Sequence, residues 1–315
     1  MPLPDVTEKW TSRIAEVTLG VEPNQIKIGG HSTLPFLNFE GETPYKPVIA
    51  MEVLDIEPEE WSPVLKEPFG DALKSPVEWA KKCVDDYNAD MICISLVGIH
   101  PDFGNLSVEH AADVVQSVAD EISVPLMVWG CGDNEKDNLT MPQVAELLQG
   151  KNALLGSALE DNYKTLVAAC QMAGHNLIAE SPCDINIAKQ LNILISETGF
   201  PLERVVIYPT TGALGYGFEY IYSIMERGRL AALSGDKMMS SPVISRIGPE
   251  VWRVKEAQTT LSEQPRWGPV EERGPMWEAM TASTLFMSGS DIMLLRHPKA
   301  VEITREMINE LMEKH

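Results

Sequence analysis

The chain alternates short hydrophobic runs with longer amphipathic stretches. Eight runs have the length of β-strands and lie at 48–53, 91–97, 125–129, 153–158, 177–180, 204–208, 242–247 and 291–295. Most are apolar at nearly every position, which is typical of parallel strands buried on both faces. The run at 242–247 is the exception, because its pattern is less uniform. The hydrophobic pattern therefore predicts a mainly parallel sheet.

The amphipathic stretches between these runs predict helices. They lie at 75–87, 108–121, 141–148, 162–172, 185–197, 218–233, 276–287 and 298–313. The first begins with Ser75 and Pro76, a capping residue followed by a first-turn proline. Eight strand–helix pairs over about 270 residues predict an α/β fold of the (β/α)8 TIM-barrel type. A doubly wound open sheet is the alternative, but its usual G-x-G-x-x-G fingerprint is absent.

Residues 1–46 precede the first predicted barrel strand. They predict a helix and then two short strands around 26–28 and 34–39, with Gly29 and Gly30 turning between them. Such a β-hairpin could close the bottom of the barrel. The chain shows no linker or repeat, so we assign 1–46 as an extension packed on the barrel and 47–315 as the barrel, within a single domain. The segment 248–274 is expected to be a long excursion.

The charge of the chain excludes some partners. The formal net charge is −21, and such a surface repels nucleic acid and anionic membranes. We therefore predict no nucleic-acid partner and no membrane partner. The five cysteines contain no C-x-x-C pair, which favours buried thiols in a reducing compartment. No apolar run approaches the roughly 18 residues that span a bilayer, and the N-terminus does not resemble a signal peptide. A cytoplasmic location is expected.

In a TIM barrel, ligands bind at the carboxyl ends of the strands. The loops after the third and sixth predicted strands contain Gly130, Cys131, Gly132, Asp133, Asn134, Thr210, Thr211, Gly212, Gly215 and Tyr216. Glycines let a backbone approach a ligand closely, and the helix that follows offers free N–H groups. The alternatives are an Asx-rich turn for the first loop and a tight turn for the second. The residues alone predict a polar ligand site at the top of the barrel.

Other candidates at this end have simpler explanations. Glu52 or Glu180 could act as a base, but inward carboxylates are as often structural ion-pair partners. Asp184 could bind a ligand, yet it is more simply the N-cap of a helix. The histidines are scattered without the spacing of metal ligands. We therefore assign neither a catalytic residue nor a metal ligand.

Several motifs recur in the order of a known family. They are GGHSTLPFLNFEG at 29–41, AMEVLD at 50–55, GCGD at 130–133 with EKD at 135–137, DINIAKQLN at 184–192, TGALGYG at 211–217, SIMER at 223–227 and GDKM at 235–238. Together they resemble the small subunit of corrinoid/iron-sulfur proteins, also called the delta subunit of the acetyl-CoA decarbonylase/synthase complex. The resemblance runs from about residue 26 to the C-terminus.

The resemblance implies a role in methyl transfer in the reductive acetyl-CoA (Wood–Ljungdahl) pathway. A cobamide accepts a methyl group from methyltetrahydrofolate, with the help of a methyltransferase, and passes it to acetyl-CoA synthase. The family forms heterodimers, in which the large subunit carries a [4Fe-4S] cluster and a corrinoid domain. The small subunit is a barrel whose top covers the corrinoid. The two loops at Gly130–Asn134 and Thr210–Tyr216 are then expected to contact the cobamide.

Two other functions remain open at this stage. A self-sufficient pterin-dependent methyltransferase would share the barrel and its polar top. A generic aldolase-like enzyme would place a Schiff-base lysine inside the barrel, but the bodies of the predicted strands contain no lysine. Whether the chain is itself an enzyme is left open, and a non-catalytic or co-catalytic subunit is expected.

Overall fold

In a computed structural model, which describes residues 7–313, eight parallel strands surround a packed interior. The ten strands are β1 (Glu16–Leu19), β2 (Ile26–Gly29), β3 (Val48–Leu54), β4 (Met91–Ser95), β5 (Leu126–Trp129), β6 (Leu154–Ala158), β7 (Asn176–Glu180), β8 (Val205–Tyr208), β9 (Ile244–Arg246) and β10 (Ile292–Leu295). The sheet order is β8-β7-β6-β5-β4-β3-β10-β9. A parallel bridge between Ile207 and Val243 brings the two edges together. The predicted TIM barrel and all eight of its strands are confirmed.

Helices connect the strands and cover the outside of the barrel. They are α1 (Pro63–Lys66), α2 (Pro76–Asp85), α3 (Val108–Glu121), α4 (Asn134–Leu147), α5 (Tyr163–Ala173), α6 (Ile185–Glu197), α7 (Phe218–Leu233), α8 (Ile247–Val251), α9 (Lys255–Gln258), α10 (Val270–Met287) and α11 (Pro298–Met312). The side chain of Ser75 accepts a hydrogen bond from the Glu78 N–H, as a helix cap does. The excursion expected at 248–274 is largely helical.

The strands are buried on both faces because the sheet separates two apolar layers. Along β3, Val48 and Ala50 point into the barrel, whereas Ile49 and Met51 pack against the helices. This alternation between two buried layers explains why the strand sequences are apolar at nearly every position.

The β-hairpin of β1 and β2 lies against the amino ends of the barrel strands. Val17, Leu19 and Ile28 belong to the same apolar cluster as the side chains inside the barrel. The side-chain amides of Asn152 and Asn176 both donate to the Thr18 carbonyl, at 2.9 and 3.1 Å. The hairpin thus fills the bottom of the barrel and is anchored to the starts of β6 and β7.

One of the two strands that form the hairpin differs from the prediction. Strand β2 matches the predicted run at 26–28, but its partner is Glu16–Leu19 and not residues 34–39. Residues 34–39 form turns, with Phe36 at a φ of 60°. The predicted N-terminal helix is not found between residues 7 and 15, and residues 1–6 lie outside the described part. Both predictions were wrong over the described residues because the segment before β2 pairs with it.

Two helices begin earlier than predicted. Helix α4 starts at Asn134 and not at 141, so the Gly130–Asn138 loop is shorter than expected. Helix α10 starts at Val270 and not at 276. Each helix contains a proline, Pro142 in α4 and Pro275 in α10. An internal proline removes one backbone hydrogen bond, but tertiary packing holds both helices through it.

We expect Leu19→Ala to lower the free energy of unfolding by about 3 kcal/mol, because it leaves a cavity where a fully buried side chain fills the barrel bottom. Val21→Ala is the matched control, since Val21 lies in the hairpin turn and is 47% exposed. Urea denaturation of both variants measures the difference. Equal effects of the two changes would contradict the filling role of the hairpin.

Candidate functional site

A buried carboxylate occupies the centre of the carboxyl end of the barrel. Glu52 in β3 is 1% exposed. Its Oε1 accepts hydrogen bonds from Ser95 Oγ at 2.6 Å and from an Nη of Arg246 at 3.2 Å. Its Oε2 accepts one from Arg296 Nε at 2.5 Å. Glu52 is therefore a structural ion-pair partner that joins the ends of β3, β4, β9 and β10.

The electrostatics of this group favour the charged carboxylate. Burial alone would raise the pKa of Glu52, but the charges of Arg296 and Arg246 and the hydrogen bond from Ser95 lower it to about 2. A carboxylate that is ionised and fully hydrogen-bonded at neutral pH is a poor proton acceptor. The arrangement thus suits structure better than general base catalysis.

Aromatic side chains fill the rest of the barrel mouth. The rings of Trp129 and Tyr208, at the ends of β5 and β8, meet edge to face with centroids 5.0 Å apart. The guanidinium of Arg246 lies over the Trp129 ring at 4.9 Å. Both aromatic residues are less than 5% exposed. The interior of this end is therefore occupied by side chains.

The loop after β5 is shaped by two aspartates. Asp133 caps α4 by accepting a hydrogen bond from the Lys136 N–H at 2.9 Å. Asp137 accepts from the N–H groups of Cys131 and Gly132, at 2.8 and 3.0 Å. Burial raises the pKa of Asp137 and raises that of the Cys131 thiol to about 12. The hydrogen bonds of Asp133 and Asp137 thus fix the backbone of this loop.

Two glycines of this loop have different roles. A Cβ at Gly130 would lie 2.5 Å from the Asp137 carboxylate, so that glycine permits internal packing. Gly132 has a φ of +90° and open space where a Cβ would point. Asn134 is the first residue of α4. Gly132 is therefore the point of this loop where backbone is accessible to a ligand.

The loop after β8 uses its threonines internally. Thr210 Oγ1 donates to the Ser181 carbonyl at 2.7 Å, and Thr211 Oγ1 accepts from the Arg246 N–H at 2.9 Å. The Thr211 N–H donates to Tyr208 Oη at 3.3 Å. These bonds fix the loop to β7 and β9 and leave only part of each hydroxyl for a ligand.

The glycines of the same loop also divide by role. A Cβ at Gly212 would lie 2.7 Å from the Tyr216 carbonyl oxygen, so Gly212 lets the loop fold on itself. Gly215 has a φ of +84° and open space beside it. Tyr216 is 48% exposed and its hydroxyl donates to Glu256 at 2.9 Å. Gly215 and Tyr216 are the accessible part of the predicted set here.

The two predicted loops lie on one end of the barrel, and the strands before them meet through Trp129 and Tyr208. Exposed apolar side chains also follow the carboxyl ends of several strands. Phe103, Leu139, Ile187, Tyr216 and Tyr220 are 39–73% exposed and follow the carboxyl ends of β4, β5, β7 and β8. Several large apolar groups around one face are typical of a surface that contacts another molecule.

The other carboxylates at this end of the barrel have structural partners. Asp184 caps α6 by accepting from the Asn186 N–H at 2.8 Å, as the sequence suggests. Glu180 accepts a hydrogen bond from Ser157, and burial raises its pKa. Asp55 accepts from the Gly98 N–H at 2.8 Å, and burial raises its pKa too.

The sequence analysis missed the arginines of the mouth. Arg246 ends β9 and Arg296 directly follows β10. Both stand where barrel ligands and their supporting groups belong, so applying the carboxyl-end rule to the last two strands would have found them. Asp137 lies in the loop predicted at Gly130–Asn138, where the sequence analysis gave it no role, but the structure places it in α4 with its carboxylate bonded to that loop.

Two further properties concern the whole described part. Across residues 7–313, His, Cys, Asp and Glu side chains form no group of three or more that could hold a metal ion. In the same residues, none of the helices has both the length and the apolar character needed to cross a membrane.

Fold and site together define a TIM-barrel protein. Side chains fill the interior of the barrel, and the loops at its carboxyl end are polar, with exposed apolar side chains in the segments that follow. A family model described as the CO dehydrogenase/acetyl-CoA synthase delta subunit matches residues 16–258. The delta subunit of the acetyl-CoA decarbonylase/synthase complex from Archaeoglobus fulgidus is 33% identical, over 96% of this chain and 70% of that protein. Its counterpart from Methanocaldococcus jannaschii is 34% identical, over 98% and 76%. The chain belongs to this delta-subunit family.

Solved structures with a similar fold are dihydropteroate synthases. The Coxiella burnetii enzyme in complex with pteroic acid has a TM-score of 0.57 at 12% identity and covers 94% of this chain and 98% of its own. The Yersinia pestis enzyme with a pterine-sulfa conjugate has a TM-score of 0.56 at 14% identity, over 89% and 97%. At these identities the likeness supports the TIM-barrel fold alone.

We expect Glu52→Gln to lower the free energy of unfolding by about 3 kcal/mol at pH 7, because two partly buried guanidinium groups lose the buried carboxylate that pairs with them. The pKa of Glu52 lies at about 2 in the folded chain against an ordinary 4.5. Its stabilisation is complete above pH 4.5 and is lost as the pH falls towards 2. Urea titrations between pH 5 and pH 2 should show the variant and the unmodified chain converging.

The control is Glu121→Gln, which removes a carboxylate paired with Lys81 at 3.3 Å on the surface. It should have little effect at any of these pH values. A stability difference for Glu52→Gln that stays constant down to pH 2 would rule out the proposed ionisation.

Proposed function

We propose that this chain is the delta subunit of an acetyl-CoA decarbonylase/synthase-type complex and acts in the acetyl-CoA pathway as the small subunit of a corrinoid/iron-sulfur methyl carrier. The observation that carries this proposal is the family membership, with 33–35% identity over 95–98% of the chain to several delta subunits. In this role the carrier accepts a methyl group from methyltetrahydrofolate through a methyltransferase and passes it to acetyl-CoA synthase.

In the proposed heterodimer, this chain covers a cobamide held by the large subunit, which also carries the [4Fe-4S] cluster. When bound, the cobamide supplies the cobalt that carries the methyl group. Two residues in the loops at the carboxyl end of the barrel fit the edge of the cobamide macrocycle. Backbone at Gly132 and Gly215 is open, because no atom lies within 4 Å of where a Cβ would point. The Gly132 N–H is already bonded to Asp137, but the Gly132 C=O group and the N–H and C=O groups of Gly215 suit the amide groups of a corrinoid.

The filled mouth supports a lid and not an enclosing pocket. Glu52, Trp129 and Tyr208 are each less than 5% exposed beneath the rim. A macrocycle therefore cannot enter the barrel and can only rest on its rim, with one face against this chain. The other face requires a second protein, which supports the heterodimer.

The exposed apolar side chains that follow the carboxyl ends of the strands support a protein partner at the same end. Phe103 is 73% exposed and Tyr220 is 67% exposed. Burying such groups stabilises association, and obligate interfaces commonly bury more than about 2,000 Å² in total. We therefore assign this face to the large subunit.

A pterin-dependent methyltransferase remains the second candidate. The fold supports it, since two of the similar solved structures contain a pterine-sulfa conjugate and pteroic acid. The ion pairs of Glu52 inside the barrel argue against a deep pterin pocket. Methyl transfer from methyltetrahydrofolate to free cobalamin by the isolated chain would favour this candidate over the lid.

We expect the isolated chain to retain little cobamide, because a rim can contact only one face of the ring. Equilibrium dialysis of the chain against a cobamide, read by corrinoid absorbance, measures this retention. The matched sample is the chain assembled with its large subunit, which should retain about one cobamide per heterodimer under the lid model. Tight stoichiometric binding by the isolated chain would disprove it.

We expect a bulky maleimide on Cys183 to weaken assembly with the cobamide-loaded large subunit by at least about tenfold. Cys183 is exposed in the loop between β7 and α6, beside the loop after β8. Cys131 reacts more slowly, because it is half-buried and its thiol pKa is raised to about 12. Mass spectrometry checks for single labelling, and size-exclusion chromatography with absorbance detection measures assembly.

The control places the same label at the opposite end of the barrel. Val21→Cys in a Cys183→Ser background offers an exposed thiol in the hairpin turn. Labelling there should leave assembly unchanged. If both labels act alike, or if the Cys183 label has no effect, the carboxyl-end rim is not the surface that meets the large subunit.

A further inference from the structure

A cleft of about 300 Å³ opens at the carboxyl end of the barrel, away from the two predicted loops. It lies between the segment after β3, the helices after β9 and the residue after β10. Its lining includes Trp61, Ser62, Trp252, Gln258 and Arg296. A cleft of this volume has the size of a small-molecule site.

Arg296 presents unused hydrogen-bond donors to this cleft. Its side chain is only 12% exposed. Within residues 7–313, Nε bonds to Glu52 and the guanidinium stacks on the Trp61 ring at 4.6 Å, but neither Nη has a hydrogen-bond partner. An arginine held by Nε keeps the end formed by its two Nη groups free. That end matches the two oxygens of a carboxylate or phosphate.

Charged groups of both signs surround the cleft. Arg246 and Arg296 share the single carboxylate of Glu52, so both Glu52 oxygens are already bonded and neither Nη of Arg296 is taken up by them. The nearby Glu278 accepts from the Trp252 indole and from the Arg296 backbone N–H, at 2.9 and 2.6 Å. Its oxygens are therefore directed to those donors. Arg253, also in the lining, adds a second cation and pairs with Glu250 outside the cleft.

We propose that this cleft binds a small oxyanion, a carboxylate or a phosphate, held end-on by the Nη groups of Arg296. Ser62 also lines the cleft, and its buried hydroxyl lacks a hydrogen-bond partner among the described residues. Trp61 fixes the guanidinium plane, and Glu52 fixes its direction through Nε. This site is separate from the rim loops assigned to the cobamide, so it does not rest on the proposed function.

One residue of the lining opposes the ligand. Glu60 is exposed at the edge of the cleft and has no ion pair among the described residues. Its charge repels an anion and should weaken binding. Removing that charge therefore changes affinity in the direction opposite to changes at the arginines, which gives the proposal a two-sided test.

The test is isothermal titration of the full chain with sodium acetate and, separately, with inorganic phosphate, at ionic strength held constant with sodium chloride. We expect saturable binding at one site by at least one of the two anions. Acetate binding alone assigns a carboxylate, and phosphate binding alone assigns a phosphate. Arg296→Lys should weaken binding by about tenfold, because lysine lacks the planar fork. Glu60→Gln should strengthen it.

Arg305→Lys is the matched control, because Arg305 pairs with Asp90 at the amino end of the barrel, at 3.0 Å. It should leave binding unchanged. If Arg296→Lys fails to fold by circular dichroism, Arg253→Gln must weaken binding while Glu60→Gln strengthens it. The absence of saturable binding by both anions, or an equal loss in Arg305→Lys, overturns the proposal.

Discussion

The carboxyl end of this barrel depends on the hydrogen bonds and ion pairs made by the Glu52 carboxylate. It connects β3 to β4 through Ser95, to β9 through Arg246 and beyond β10 through Arg296. Strand β9 has only three residues and meets β8 through an isolated bridge next to it. The ion pair of Arg246 therefore holds the weakest strand where backbone pairing is least. A buried ion pair is costly to desolvate, and here three donors on one carboxylate offset that cost.

The amino end of the barrel is closed as well as the carboxyl end, and this limits where a ligand can bind. The hairpin inserts Val17 and Leu19 among the inward side chains, and Asn152 and Asn176 fix it to the starts of two strands. Side chains of the described residues therefore fill the barrel at both ends. Binding must then use the rim and the clefts between loops, which are shaped by backbone conformation and by the residues that hold each loop from below.

The sequence predicted the barrel well, because its strands carry a simple physical signal. A parallel strand between two apolar layers is hydrophobic at most positions, and β3 to β10 follow this rule except for the short β9. The predictions failed where the local signal competes with packing. Pro142 and Pro275 lie inside helices, and β2 pairs with Glu16–Leu19, whose four residues are a short signal. Tertiary contacts decide such cases, and no pattern in the segment itself records them.

The candidate site could be predicted from the sequence less completely than the fold. Sequence reasoning located the loops at Gly130–Asn134 and Thr210–Tyr216 correctly at the carboxyl end, because position in a barrel follows from strand order. It could not tell which side chains face outward. Thr210 and Thr211 bond to neighbouring strands, whereas Gly132 and Gly215 stay open. Arginine gives the converse case. Arg296 looks like an ordinary residue after a strand, yet its Nε is fixed by Glu52 and its plane by Trp61. The same contacts that close the barrel thereby leave one guanidinium with a defined direction and free donors, so stability and recognition at this end have a common origin.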